Sequence, residues 1–299
     1  MNQPYPRLPK FNYVQPLSTR EAVDFLGKHA DQSRPYAGGT DCFVQIRDRR
    51  MLPQYLVDLK SIKKLREIRF DAKKGLTIGA TANLNEINHH PKVLTHYPIL
   101  AQAAEEVGGY QLRNRATLVG NLCNASPCGD TIGACLVYGA AVHIIGPKGE
   151  RTVELKDFFE GPGKTCLQAG EIATALHLPI PYAGSKGVYQ SIGRNKLGDL
   201  AIAAVTILGY PDKKNPSGYT FRITLTAVAP TVIFAVDAEE ILKSTKIEKG
   251  TLEQAANACG KACKPIDDIR GSADYRRDMI NMLALRGLEQ TCAQLDIPM

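Results

Sequence analysis

The sequence predicts an α+β fold in two parts, and the order of its strand and helix patterns supports this. In the first part, short strand and helix patterns alternate around two glycine-rich segments. In the second part, three strand patterns precede three helix patterns, which is typical of an antiparallel sheet of three or more strands packed against helices. The composition changes at residues 179–184, Pro-Ile-Pro-Tyr-Ala-Gly. We therefore expect one domain at residues 1–180 and a smaller one at 185–299.

The elements of the first part follow from local patterns. Ser18 can cap a helix over residues 18–30, because Glu21 stands three positions on, as a capping box requires. A strand at 36–39 and a short helix at 43–48 flank the first glycine-rich segment. The remaining elements expected here are a strand at 55–59, a helical turn at 62–68, a hairpin at 69–80, a helix beginning at 81, helices at 99–107 and 132–138, and a hairpin at 141–153.

The second part is predicted from longer patterned segments. Strand patterns occupy residues 187–192, 200–208 and 219–228, and a polar turn at 211–218 separates the last two. Helical patterns follow at residues 238–242, 252–263 and 275–295.

Composition and charge exclude several classes of protein. The 299 residues are 44% hydrophobic and 22% charged, which is ordinary for a globular protein with a sizeable core. The formal net charge of +7 is spread without a basic block, so nucleic acid is not an expected partner. The longest apolar runs, such as residues 200–208, are too short to span a bilayer. The sequence does not begin with a signal-peptide pattern, so we expect a cytoplasmic protein.

The cysteines and the common catalytic motifs indicate that the chemistry comes from a cofactor. None of the eight cysteines forms a Cys-x-x-Cys motif, and the close pairs Cys123/Cys128 and Cys259/Cys263 do not have a common zinc or iron–sulfur spacing. We interpret them as reduced thiols. No Gly-x-Gly-x-x-Gly and no Ser-His-Asp or Cys-His arrangement is recognisable. The protein would then hold and tune a cofactor.

The first glycine-rich segment is Ala37-Gly38-Gly39-Thr40-Asp41. Its glycines allow the backbone to approach a pyrophosphate without an intervening Cβ. The N-terminal end of the expected helix at 43–48 would point at the same place, which favours an anionic ligand. By itself the segment is equally well explained as an ordinary turn.

The second glycine-rich segment runs from residue 108 to residue 131. It is dense in Gly, Asn, Ser and Thr, and it carries Arg113 and Arg115 near its start. Such a run offers backbone N–H groups, hydroxyls and amides at close range, which suits a phosphate-bearing ligand. For the two arginines, surface salt bridges are an equally good explanation.

Together the two segments resemble the flavin-binding loops of the FAD subunits of molybdenum hydroxylases, the xanthine dehydrogenase and carbon monoxide dehydrogenase family. The match comprises Ala-Gly-Gly-Thr-Asp and then Gln-Leu-Arg-Asn-Arg-Ala-Thr-Leu-Val-Gly-Asn-Leu-Cys-Asn-Ala-Ser-Pro at residues 111–127. Residues 158–165, 193–201 and 270–277 are also similar to the family, although Asn195 replaces an arginine of its pattern. The resemblance implies an FAD-binding domain of the vanillyl-alcohol-oxidase (PCMH) type and a C-terminal domain of the CO dehydrogenase flavoprotein type.

The resemblance also implies a set of residues that hold FAD. Gly38, Gly39 and Thr40 would contact the pyrophosphate, while Asp41 would either join them or cap the next helix. Ser126 and Asp130 would accept from ribitol or ribose hydroxyls. Lys196 would stabilise the reduced flavin anion, with an ordinary exposed lysine as the plainer explanation. The full set of expected cofactor-binding residues is Ala37, Gly38, Gly39, Thr40, Asp41, Thr81, Thr117, Gly120, Asn121, Ser126, Asp130 and Lys196.

The same resemblance implies partners and a division of labour. A small subunit would carry two [2Fe–2S] clusters and a large subunit would carry molybdenum and a pterin, in a dimer of heterotrimers. Electrons would pass from the clusters through non-covalently bound FAD to a terminal acceptor such as NAD. This chain would contribute no catalytic residue and no metal ligand, and residues 122–131 have no insertion that would add a [4Fe–4S] cluster.

Three alternatives remain open from the sequence. A self-sufficient flavin oxidase of the same broad fold would often link FAD to a histidine near the first loop, where this chain has none. A cell-wall reductase acting on an enolpyruvyl-UDP-sugar has similar cofactor loops, but it does not explain residues 158–165. A scaffold without flavin would be expected to have degraded loops. The sequence cannot name the organic substrate.

Overall fold

A small parallel sheet begins the first half of the chain. The structure is a computed structural model that describes residues 8–195 and 198–298. Ser18 caps the first helix, since its Oγ accepts from the Glu21 N–H at 3.2 Å, but the Glu21 carboxylate accepts from Leu17 rather than from Ser18. The sheet has the order β1-β3-β2. Its elements are β1 (Asn12–Val14), α1 (Thr19–Lys28), β2 (Ser33–Tyr36), α2 (Cys42–Arg47) and β3 (Tyr55–Asp58).

A five-stranded antiparallel sheet forms the rest of the first half. Two short 3₁₀ turns, at Leu59–Ser61 and Lys63–Arg66, connect β3 to it. Its strands are β4 (Ile68–Asp71), β5 (Gly75–Gly79), β6 (Ala141–Gly146), β7 (Gly149–Glu154) and β10 (Ile172–Leu178), with a small hairpin of β8 (Phe159–Gly161) and β9 (Lys164–Thr165) beside them. The order β4-β5-β10-β6-β7 places β10 at the centre, and the sequence patterns did not predict this strand.

Six helices connect β5 to β6. They are α3 (Leu84–Asn88), α4 (Pro91–His96), α5 (Pro98–Glu106), α6 (Tyr110–Arg113), α7 (Leu118–Asn124) and α8 (Asp130–Val137). The second glycine-rich segment, expected as a loop, therefore contains two short helices and the start of a third. The reason lies in α7, where the Thr117 Oγ1 caps the first turn and Leu118, Val119 and Leu122 are buried.

The second half is a four-stranded antiparallel sheet packed against three helices, as its patterns predicted. The strands β11 (Lys186–Ile192), β12 (Ala203–Pro211), β13 (Tyr219–Thr226) and β14 (Ile233–Phe234) pair in sequence order. The helices α9 (Val236–Ser244), α10 (Lys249–Ala262) and α11 (Ala273–Gln294) share a hydrophobic core with this sheet. Among the described residues, no helix is long and apolar enough to cross a membrane.

Helix α8 joins the two halves. All eight of its residues are buried, and the helix lies against β12 and β13. At Gly133 a Cβ would stand 2.6 Å from the Thr206 hydroxyl and 2.7 Å from that of Thr224, so glycine permits the close approach. One hydrophobic cluster continues from α5 and α8 into β11 and β12. Residues at the start of α8 are therefore held by both halves.

Candidate cofactor site

An aromatic cluster fixes the first glycine-rich segment, which connects β2 to α2. Gly39 has φ +78°, and a Cβ there would lie 2.6 Å from the Tyr36 ring and 3.0 Å from the Phe43 ring. The two rings meet edge to face at 5.5 Å between centroids. The Lys60 ammonium lies 3.5 Å from the centroid of the Tyr36 ring. Gly39 is therefore required at this turn, because its backbone is left-handed and the two rings leave no room for a side chain.

Gly38 brings the two glycine-rich segments into contact. A Cβ on Gly38 would stand 2.2 Å from the Arg115 carbonyl oxygen and 3.0 Å from the Ala116 Cα. The Arg115 guanidinium also donates to the Tyr36 hydroxyl at 3.3 Å. Segments separated by more than seventy residues in sequence therefore form one cradle, whose backbone can approach a ligand closely.

The rest of the first segment leads into α2. Asp41 occupies the N-cap position of this helix, but its side chain makes no capping hydrogen bond to the first turn. The expectation that Asp41 caps the helix therefore holds for its position and not for its side chain. Ala37 and Thr40 are partly exposed on either side of the two glycines.

Thr117 opens the second side of the cradle. Its Oγ1 accepts from the Gly120 N–H at 3.1 Å, which leaves the hydroxyl proton as a donor. Thr117 also pairs with Asn83 in an isolated bridge, and this bridge brings the segment containing Thr81 alongside the cradle. The Thr81 Oγ1 is buried and has no hydrogen-bond partner among the described residues.

Asn121 and Ser126 shape the turn between α7 and α8. The Asn121 Oδ1 accepts from the Thr131 hydroxyl at 2.8 Å, and the Ser126 Oγ accepts from the Cys128 N–H at 3.2 Å. Ala125, between them, has φ +48° and ends α7. Each of these two side chains keeps a donor group, an amide and a hydroxyl respectively, in addition to its structural bond.

Asp130, the first residue of α8, is buried with 6% of its surface exposed. Its Oδ1 accepts from the Tyr189 hydroxyl at 2.6 Å. Burial raises the pKa of the Asp130 carboxyl to about 6, while the Tyr189 hydrogen bond opposes that rise and the charge of Glu106 adds to it. Tyr189 lies on β11 in the second half, and no motif in the sequence identified it.

The arginines of the second segment have structural partners. Arg113 is 6% exposed and its guanidinium donates to the carbonyls of Glu105 at 2.7 Å and Gly108 at 3.0 Å, and to the Glu105 carboxylate at 2.6 Å. It holds the end of α5. The salt bridge between Arg113 and Glu105 is therefore not a surface pair on the side of Arg113, whose side chain is buried. Lys196 lies outside the described residues, and the remaining expected site residues surround the cradle and the start of α8.

The described residues, 8–195 and 198–298, contain no group of three or more His, Cys, Asp or Glu side chains that could hold a metal ion. The chemistry of the site rests on backbone groups, hydroxyls, amides and one buried carboxylate. This donor set and the Cβ-free cradle fit a dinucleotide with a pyrophosphate and several sugar hydroxyls. The fold and site together define a protein that binds a dinucleotide-type cofactor.

Comparison with known proteins identifies the family. The model for the FAD-binding domain in molybdopterin dehydrogenase matches residues 9–181, and the model for the CO dehydrogenase flavoprotein C-terminal domain matches residues 189–291. The chain is 31% identical over 284 residues to the carbon monoxide dehydrogenase medium chain of Afipia carboxidovorans, covering 95% of this chain and 97% of the relative. It is 26% identical to the xanthine dehydrogenase FAD-binding subunit of Escherichia coli O157:H7, covering 94% and 96% respectively.

Solved structures agree. Carbon monoxide dehydrogenase from Hydrogenophaga pseudoflava superposes with a TM-score of 0.91 at 32% identity, over 97% of this chain and 99% of that one. Quinoline 2-oxidoreductase from Pseudomonas putida 86 superposes with a TM-score of 0.90 at 28% identity, over the same shares. The chain belongs to the FAD-binding subunits of the molybdenum hydroxylase family of oxidoreductases.

Proposed function

We propose that this chain is the electron-transfer subunit of a molybdenum hydroxylase complex, taking electrons from the [2Fe–2S] clusters of a partner and passing them to a terminal acceptor such as NAD. The observation that carries the proposal is the contact of Gly38 with Arg115 and Ala116, which unites both glycine-rich segments. When bound, FAD supplies the conversion between one-electron and two-electron transfer. The chain itself supplies binding, orientation and electrostatics.

The residues around the cradle divide into three roles in this proposal. Ala37, Gly38, Gly39, Thr40 and Asp41 present backbone and side-chain groups to one side of the pyrophosphate. Across the cradle, Thr117, Gly120 and Asn121 line the other side, with Thr81 nearby. Ser126 and Asp130 bind sugar or ribityl hydroxyls, and Lys196, which lies outside the described residues, stabilises the reduced flavin anion. The bonds that already hold Thr117 and Asn121 support these roles, because they fix the side chains before the ligand arrives.

The partners belong to the same proposal. The names of the relatives, medium chain and FAD-binding subunit, support a complex with a small iron–sulfur subunit and a large molybdenum–pterin subunit. We further propose a dimer of such heterotrimers in the cytoplasm, and a domain boundary at residues 180–185. The separate ranges of the two family models support that boundary. The organic substrate would be selected by the large subunit.

The test is a spectrum of the purified chain reconstituted with FAD. We expect bound, oxidised flavin that is released into the supernatant on denaturation, and no stoichiometric iron or labile sulfide. Purines, aldehydes, carbon monoxide and aromatic acids should leave the flavin of the isolated chain oxidised. Within the complex, the substrate of the large subunit should reduce it. Bleaching of the flavin by substrate in the isolated chain would instead identify a self-sufficient oxidase, and a chain that binds no flavin would identify a scaffold.

A further inference from the structure

We propose that Tyr189 is a positioning residue of the cofactor site, which holds the Asp130 carboxylate across the boundary between the two halves as a charged acceptor for an FAD hydroxyl. This inference rests on the proposed function and deepens it. It assigns the second half of the chain a direct part in binding the cofactor, although the glycine-rich cradle lies wholly in the first half.

The geometry of Tyr189 is fixed at both ends. Its hydroxyl donates to the Asp130 Oδ1 at 2.6 Å, and its backbone N–H donates to the Gln102 Oε1 of α5 at 3.1 Å. The side chain is 8% exposed and belongs to the hydrophobic cluster that continues through both halves. Because the ring cannot move without disturbing β11 or α5, the phenol holds the carboxylate in one orientation.

The groups around Asp130 determine how strongly this hydrogen bond affects the charge of its carboxyl. The titratable groups around the carboxyl are Tyr189 from β11, Glu106 from the end of α5, Cys128 from the turn before α8, and Asp199 from the segment after β11. Glu106 is acidic and its charge raises the pKa of Asp130, whereas Asp199, which lines the same small cavity, is paired with Arg194 at 3.5 Å. A buried carboxylate near another acid requires hydrogen-bond donors to stay charged.

Asp130 also has spare capacity as an acceptor. An ionised carboxylate has about four lone-pair sites, and the Tyr189 hydroxyl uses one of them. The first position of a helix favours a negative charge, which supports the ionised form at the start of α8. The hydroxyls of a sugar or ribityl chain are the donors that match such a group.

Loss of the phenol should therefore change when Asp130 ionises. The pKa of Asp130 lies near 6 with the Tyr189 bond in place. In Tyr189→Phe this stabilisation of the charged form is absent, so the pKa of Asp130 rises further and a larger fraction of the carboxyl is protonated between pH 5.5 and 7. A protonated carboxyl is a weaker acceptor, and FAD affinity should fall there but recover at higher pH.

The experiment measures the FAD dissociation constant by flavin fluorescence between pH 5.5 and 9. Wild-type affinity should rise with pH through a midpoint near 6. In Tyr189→Phe the midpoint should move up by about one unit, so that affinity is about twofold lower at pH 7, about eightfold lower at pH 5.5 and close to wild type at pH 9. In Asp130→Asn the affinity should be low and independent of pH over this range.

Tyr97→Phe is the matched control. Tyr97 is a fully buried tyrosine of the same cluster, and its hydroxyl donates to the Pro179 carbonyl at 3.0 Å rather than to Asp130. Tyr97→Phe should lower thermal stability without moving the pH midpoint of FAD binding. If Tyr189→Phe does not fold, Glu106→Gln on the exposed end of α5 provides a second test, since loss of that charge should move the midpoint down.

Each outcome of these titrations supports or overturns the role of Tyr189. An affinity that falls by the same factor at every pH in Tyr189→Phe would make Tyr189 an ordinary packing residue and overturn the inference. A wild-type affinity that does not change with pH, or an unmoved midpoint in Glu106→Gln, would do the same for the charged acceptor. Wild-type protein that binds no FAD at any pH would instead refute the proposed function itself.

Discussion

Gly38→Ala is the sharpest test of the two-segment cradle. The added methyl group would stand 2.2 Å from the Arg115 carbonyl oxygen, a backbone atom that cannot rotate away. The neighbouring residue is also held, since the Ala116 N–H donates to the Leu112 carbonyl at 2.8 Å and its carbonyl accepts from the Leu84 N–H at 2.9 Å. The two segments must therefore separate.

The size of the effect follows from that separation. Contacts of a Cβ below 3.0 Å are essentially never found, so the backbones must move apart by about 0.8 Å. Overpacking of this kind costs about 1–3 kcal/mol. If the strain is relieved by opening the cradle, FAD affinity should fall by about 5- to 150-fold, because about 1.4 kcal/mol corresponds to a factor of ten.

Fluorescence titration of the FAD-free variant measures this change, and thermal unfolding shows whether the variant is folded. Gly250→Ala is the matched control, because a Cβ on this helical glycine meets nothing within 4 Å. It should leave FAD affinity unchanged and stabilise α10 by up to about 1 kcal/mol. A folded Gly38→Ala protein that binds FAD as wild type does would refute the argument that the two segments form one cofactor cradle.

Three further predictions follow from the same site. Gly39→Val, at φ +78° and beside two aromatic rings, should deplete FAD in the purified protein, which the flavin absorbance would show. Because burial raises the pKa of Asp130 to about 6, the protonated carboxyl stabilises the FAD-free chain at low pH, and this contribution is lost as pH rises through about 6. Asp130→Asn should therefore unfold at a higher temperature than wild type at pH 8, with a gain of at most about 3 kcal/mol in the free energy of unfolding, and at nearly the wild-type temperature at pH 4. Arg113→Ala should lower the free energy of unfolding by about 2–4 kcal/mol in urea, whereas Arg20→Ala, in a pair that is 82% exposed on the arginine side, should change it by less than about 1 kcal/mol.

Much of the fold could be predicted because its cues are local. Ser18 caps α1, and the hairpins β4–β5 and β6–β7 turn at glycines with positive φ, Gly75 and Gly149. The order of three strands and three helices in the second half also follows from periodicity within short windows. Strand β10 could not be predicted in this way. Its neighbours β5 and β6 lie far away in sequence, so its place at the sheet centre depends on long-range contacts.

The second glycine-rich segment is a case in which local composition predicted the wrong structure. Its composition indicates a loop, yet burial of Leu118, Val119 and Leu122 together with the Thr117 cap makes a helix of part of it. Packing supplies free energy that local propensity does not include. The same applies to Arg113, whose buried position at the end of α5 depends on the fold around it.

The sequence by itself determined the family, the two glycine-rich segments and the two-part organisation, because these depend on residue types at fixed spacing. The tertiary structure decided which of those residues meet. Gly38 faces Arg115 across more than seventy residues, and Asp130 receives the Tyr189 hydroxyl from the other half of the chain. Such contacts depend on the packing of whole elements, and burial then sets the pKa of the carboxyl. No window of sequence contains that information.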